Sequence, residues 1–216
     1  MKREENVVRY YVLCNKLKDI VRTGWLNWHV ERERVESVAE HIFGVQMLAI
    51  AMRSEYNYDV DLERVILMLA IHELEEIFIG DLTPFQISRE EKAELGHEAI
   101  EKVLDGLVDK DKIKDLILEF DERNSNDAKF AYYCDKLECD IQCKIYDEEN
   151  CVDLDKQMID RKLHNPLARK MYEDGASWSD MWISFDEDKC GYDNNFLEVS
   201  DYIKKNDITS FREERD

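Results

Sequence analysis

Apolar residues recur along this chain at intervals of three and four, the spacing of helices that bury one face. Val8, Tyr11, Val12, Leu17 and Ile20 predict a first helix over residues 5–22. The stretch "RTGWLNWHVERERVE" breaks that period and predicts a loop, unusually aromatic for a connector. Ser37 and Glu40 then form an S-x-x-E capping box, which opens a helix whose core side carries Val38, Ile42, Val45, Ala49 and Met52. His41 stands one residue from that stripe. A third helix is predicted over residues 62–79, with Gly80 as its stop signal. Ser88 and Glu91 repeat the capping box and start a helix to about residue 107, and residues 111–123 are helical by pattern. Residues 127–147 read as one long helix with Phe130, Cys134, Leu137, Ile141 and Ile145 inward and Asp135 beside them. Beyond residue 165 the period fades into "WSDMWISFDEDKCGYDNNF", whose Trp178, Trp182 and Phe185 are expected to cover the core or to form a subunit contact. The expected architecture is all-α: a helical core over 1–165 and a less regular extension, 166–216, packed on the same domain.

Composition narrows the class without naming a chemistry. A chain of 216 residues, 44% hydrophobic, can bury one substantial core. With 7 Gly and 2 Pro it favours long helices over many short strands. No apolar run approaches the ~18 residues a membrane span needs. The opening "MKREENVVRYYVLCNKLKDI" has no signal-peptide pattern, so a cytoplasmic protein is expected. The six cysteines form no CxxC pair and read as reduced, mostly buried thiols rather than a zinc knuckle. A formal charge of −20 argues against binding a nucleic-acid polymer, whose phosphates require a basic surface. It leaves room for a small phosphate ester held by a local cation.

The chemistry concentrates in "ILMLAIHELEEIFIGDLTPF", residues 66–85. On a continuous helix Leu69, His72, Glu73 and Glu76 would share one face at i, i+3, i+4 and i+7. Imidazole nitrogen and carboxylate oxygen both bind divalent transition metals, at ~2.0–2.2 Å. His41 and Asp135, from two other helices, would complete a mixed N/O set suited to Mn, Fe, Co, Ni or Zn. Each member alone is weak. A single helical histidine is more often an ordinary core or surface residue, and Asp135 could cap a neighbouring helix or pair with Lys129 or Lys136.

Three segments, "RTGW…RVESVAEH", "AIHELEEIFIGDLTPF" and "AKFAYYCDKLECDIQ", together resemble the HD-domain metal-dependent phosphohydrolases over about residues 15–150. The resemblance is closest to the 5'-deoxynucleotidases of bacteria and eukaryotes. It implies an α-helical bundle, one divalent metal, and a homodimer acting on deoxyribonucleoside 5'-monophosphates. It makes His41, His72 and Asp135 metal ligands and puts Glu73 where the family has the Asp of its name, a departure of one methylene. Glu76 and Asp81 match the acidic pair that orients a water and handles protons. Arg22 matches a phosphate-contacting arginine, and Trp25 a neighbouring aromatic near the sugar. Alternatives stay open. Glu75 and Glu76 soon after the metal motif also suit a guanosine-tetraphosphate-type hydrolase. A two-metal phosphodiesterase would add histidines, yet His97 alone lies between Glu73 and Asp135. A metal-poor binding protein is the reading that Glu73 invites.

Overall fold

The structure, a computed structural model, describes residues 2–83, 86–157, 163 and 165–213. Among them no strand forms, and the all-α expectation holds. The helices are α1 (Arg3–Asn15), α2 (Thr23–Asn27), α3 (Val38–Tyr56), α4 (Leu62–Ile71), α5 (Glu76–Ile79), α6 (Arg89–Leu104), α7 (Lys110–Glu122) and α8 (Asn126–Glu148). After them come α9 (Pro166–Glu173), α10 (Trp178–Cys190) and α11 (Asn194–Lys205). Contacts divide the chain into two units, Met1–Asn27 with Arg34–Tyr132, and Trp28–Glu33 with Tyr133–Asp216.

In the first unit α3 packs on α4, α4 on α7, and α6 on both α1 and α5. Both predicted capping boxes are present: the Ser37 and Ser88 oxygens accept from the amides of Glu40 and Glu91. The buried face of α3 is Val38, His41, Val45, Ala49 and Met52, so His41 lies on the apolar stripe itself rather than beside it. Val65, Met68 and Leu69 of α4 are fully buried, each burial favouring the fold by about 1.5–3 kcal/mol.

The first helix differs from expectation in length and in facing. It ends at Asn15, a short 3₁₀ turn follows, and Val8, Tyr11 and Val12 lie outward. Its dock is polar instead. Arg9 donates to the carbonyls of Lys102, Val103 and Asp105, the acceptors that the end of α6 leaves without helical partners. The predicted loop after residue 22 contains α2, and an isolated bridge pairs Val21 with Ser37.

In the second unit α10 packs on α9 and α11. The expected loss of regularity beyond residue 165 is corrected: three capped helices occupy that region. Asn165, Ser177 and Asp193 accept from their first-turn amides. The pattern was hard to read because polar residues share the buried faces. Ser179 is buried because its hydroxyl donates to the Asp147 carboxylate at 2.6 Å, and buried Ser200 donates to Glu187 at 2.8 Å. Trp28 packs against Leu163, Ala168 and Met181, and its ring meets that of Trp178 at 5.7 Å.

Candidate metal centre

The single helix expected over 62–79 is interrupted. α4 stops at Ile71, residues 72–75 form a tight turn, and α5 begins at Glu76. Within the turn the amides of Leu74 and Glu76 reach back three residues, to Ile71 and Glu73, at 3.2 Å each. His72 is the cap residue of α4, and its Nδ1 lies 2.8 Å from the Leu69 carbonyl. A carbonyl can only accept, so Nδ1 carries the hydrogen, which leaves Nε2 as the nitrogen available to a metal. That is the arrangement in which a ligand histidine is oriented by its other nitrogen. Phe120 of α7 closes the far side, edge-on to the imidazole at 5.1 Å.

Nε2 of His72 points into a small polar group. Glu73 Oε1 lies 3.7 Å from His72 Nε2, 3.9 Å from His41 Nε2 and 3.2 Å from an Arg22 guanidinium nitrogen. His41 is fully buried, and the two imidazole rings are 5.5 Å apart. Asp135, buried on α8, has Lys136 Nζ at 2.8 Å. His41, His72, Glu73 and Asp135 each offer one ligand atom, and those atoms all lie within 4.8 Å of one another. Two donors at ~2.1 Å from one ion are separated by about 3–4.3 Å, so the two imidazole–carboxylate distances already fit and the widest pair needs only a small side-chain shift. The donors, two imidazole nitrogens and two carboxylates, suit a divalent transition metal.

A family model for the HD domain matches residues 14–174. The chain belongs to the HD-domain family. It is 32% identical to 5'-deoxynucleotidase HDDC2 of Dictyostelium discoideum, over 77% of this chain and 94% of that protein. It is 28% identical to 5'-deoxynucleotidase hdd1 of Schizosaccharomyces pombe, over 67% of this chain and 74% of that one. A crystal structure from Magnetospirillum magnetotacticum, described as a predicted metal-dependent phosphohydrolase, shares the fold. Its TM-score is 0.61, at 20% identity over 93% of this chain and 94% of its own. The HD-domain assignment implies a divalent metal, and the four-residue group above is its possible site.

Around that group this HD domain gathers acid groups whose protons are held tightly. Burial first, then the charges of Glu73 and Asp81, push the Glu76 carboxyl up to about 11, while Arg22 and Lys92 pull the other way. Glu75 is pushed up to about 8 by burial, by Glu73 and by Asp121. Asp121 of α7 is itself raised by burial and by Glu73, with His97 and His72 opposing. Asp81 follows Gly80, whose φ of +73° is a backbone state that favours glycine. One Asp81 oxygen accepts from the Thr23 amide at 2.6 Å, and the Thr23 hydroxyl donates to the Asp81 carbonyl at 2.6 Å. Asp81 therefore ties the turn after α5 to the segment that carries Arg22. Trp25 is 1% exposed, with its indole N–H donating to Glu36 at 2.7 Å, so its ring belongs to the packing beneath that segment.

Lys92, Asp121 and Thr23 were not foreseen from sequence, and Glu75 entered only through the guanosine-tetraphosphate-type alternative. Lys92 and Thr23 carry no local signal, since each acquires its neighbours only through tertiary packing. Glu75 stood beside Glu76, and its burial near the charges of Glu73 and Asp121 is a product of tertiary packing.

Proposed function

We propose that this HD-domain protein is a metal-dependent phosphohydrolase that cleaves deoxyribonucleoside 5'-monophosphates to nucleoside and phosphate. The observation that carries the reading is the closeness of Glu73 Oε1 to both imidazoles, inside a chain whose relatives bear the name 5'-deoxynucleotidase. His41, His72, Glu73 and Asp135 are the proposed metal ligands. A divalent ion there would polarise a phosphoryl oxygen and lower the pKa of a water.

The chain's own residues supply the rest. The planar fork of Arg22 faces the phosphoryl oxygens and gives up part of its pairing to Glu73 as it does so. Glu76 enters the reaction as a neutral acid, its proton on Oε2, the buried oxygen that has no protein hydrogen-bond partner. From there it protonates the departing 5'-oxygen. Asp81, with one oxygen held by the Thr23 amide, orients the attacking water through the other. Trp25 contributes from below, by fixing the backbone that presents Arg22. A homodimer and a cytoplasmic setting belong to the same proposal. No described helix is long and apolar enough to cross a membrane.

The test is phosphate release from the deoxyribo- and ribonucleoside 5'-monophosphates by chelator-stripped protein, reloaded in turn with Mn, Co, Fe, Ni and Zn. Metal-dependent release that is lost in His72→Ala and Asp135→Ala, with both variants folded, is the expected result. Wild-type rates in either variant would sink the assignment.

A further inference from the structure

The carboxylate group around the site has a second cation close by. Lys92 lies in the first two turns of α6, whose start is fixed by the Ser88–Glu91 capping box. Its ammonium is 3.6 Å from Glu76 Oε1, longer than a direct hydrogen bond, and its side chain keeps about a third of its surface open (32%). Burial alone would loosen the ammonium's proton. The charges of Glu73, Glu76, Glu75 and Asp81 outweigh burial and hold the proton on.

Glu76 is 1% exposed, yet its second oxygen has no hydrogen-bond partner, so the ammonium does not complete that carboxyl as a purely structural ion pair would. A dianionic phosphate entering beside Glu73 and Asp81 meets strong repulsion, and Arg22 is already engaged by Glu73 at 3.2 Å. A compact ammonium with three donors on a flexible stem can turn toward such an ion at little cost.

We propose that Lys92 is a second phosphate-binding cation of this site, swinging from Glu76 to the phosphoryl oxygens of the nucleotide opposite Arg22. This assignment rests on the phosphomonoesterase reading above and adds a substrate contact to it.

The experiment compares wild type with Lys92→Gln and Lys92→Arg in metal-loaded form. It measures KM and kcat for a deoxyribonucleoside 5'-monophosphate, and the inhibition constant of inorganic phosphate. Lys92→Gln should raise both KM and the phosphate constant by about tenfold or more, with kcat changed less than about threefold. Lys92→Arg should recover most of the loss. A fall in kcat with KM and phosphate inhibition unchanged would show that Lys92 acts through Glu76 alone and would overturn the proposal. Melting temperatures are read alongside. If Lys92→Gln does not fold, Lys92→Met, which keeps the buried stem, is measured in its place, and failure of both to fold makes the lysine structural and ends the proposal. Should wild type release no phosphate from any nucleotide, the hydrolase reading fails by itself. Calorimetric binding of inorganic phosphate to wild type and Lys92→Gln then tests the lysine separately.

Discussion

Replacing Glu73 by glutamine keeps the side chain's length and shape and removes one charge, so it isolates what the carboxylate does. In wild type that carboxylate lies 3.7 Å from the His72 imidazole and 3.9 Å from that of His41. At a metal concentration 100 times the dissociation constant, binding stabilises the folded chain by about 2.7 kcal/mol. For a chain of this size that corresponds to a rise of roughly 5–11 °C in melting temperature. Removing one charged ligand should weaken affinity by about 100-fold, at or beyond the effect of losing an orienting partner. At the same metal concentration the stabilisation then falls to about 0.4 kcal/mol and the shift to about 1–2 °C. The metal-free variant should still melt close to wild type, because two effects oppose. Arg22 loses a partner at 3.2 Å, a Coulomb attraction of about 5 kcal/mol at an effective dielectric of about 20, most of it offset by desolvation. Against that, Glu75 and Glu76 lose the repulsion of Glu73. Calorimetric melting of stripped and metal-loaded protein measures both quantities. A Glu73→Gln chain that retains the full metal-induced shift would show that this carboxylate is no ligand, and the proposed centre would be wrong.

Further expectations follow from the same neighbourhood. In metal-free protein Glu75, pushed up to about 8 from an ordinary 4.5, keeps its proton when folded after the unfolded chain has released it. Its contribution is therefore largest in acid and is lost as pH rises from about 4.5 to about 8; Glu75→Gln should flatten that part of the stability profile, and an unchanged slope in denaturant titrations would refute the assignment. Gly80→Ala meets no atom within 4 Å, so its cost is the backbone state alone, about 1–2 kcal/mol by chemical denaturation, with a drop in phosphate release as Asp81 is displaced. Trp25→Phe strips the buried Glu36 carboxylate of its indole donor and should cost about 1–3 kcal/mol. It should also raise KM through the displaced Arg22, and a KM equal to wild type would separate this tryptophan from the substrate side.

Sequence periodicity served best where one physical rule decides the outcome. The capping boxes at Ser37 and Ser88 and the long helix α8 depend on local hydrogen bonds and one apolar stripe, and the structure has them. It served poorly where polar partners replace apolar contact. Arg9 docks α1 while Val8 and Val12 face outward, and buried Ser179 and Ser200 are sustained by carboxylates far along the chain. No period in hydrophobicity records such pairs, because each becomes favourable only after its partner has arrived. The candidate ligands were legible for the opposite reason. A histidine or carboxylate placed on or next to a buried stripe is costly unless something compensates it, so its position is itself a signal.

The least legible feature is also the one on which the site turns. With no glycine or proline before Gly80, residues 62–79 read as one helix, and a straight helix would send His72 and Glu73 out from adjacent positions about 100° apart. Ending α4 at Ile71 changes that geometry. The Leu69 carbonyl holds the His72 ring, and Glu73, within the turn, has its Oε1 3.9 Å from His41 Nε2. This bears on the glutamate that stands where the family has aspartate. The extra methylene carries Oε1 to both imidazoles and to Arg22 at once, so here the longer side chain reaches the common point without loss of contact. On the proposed ligand set, a glutamate at this position is compatible with a bound metal. If the reach is what matters, Glu73→Asp should weaken metal binding rather than improve it, and tighter binding by the shorter residue would show that the turn, not the methylene, sets the distance.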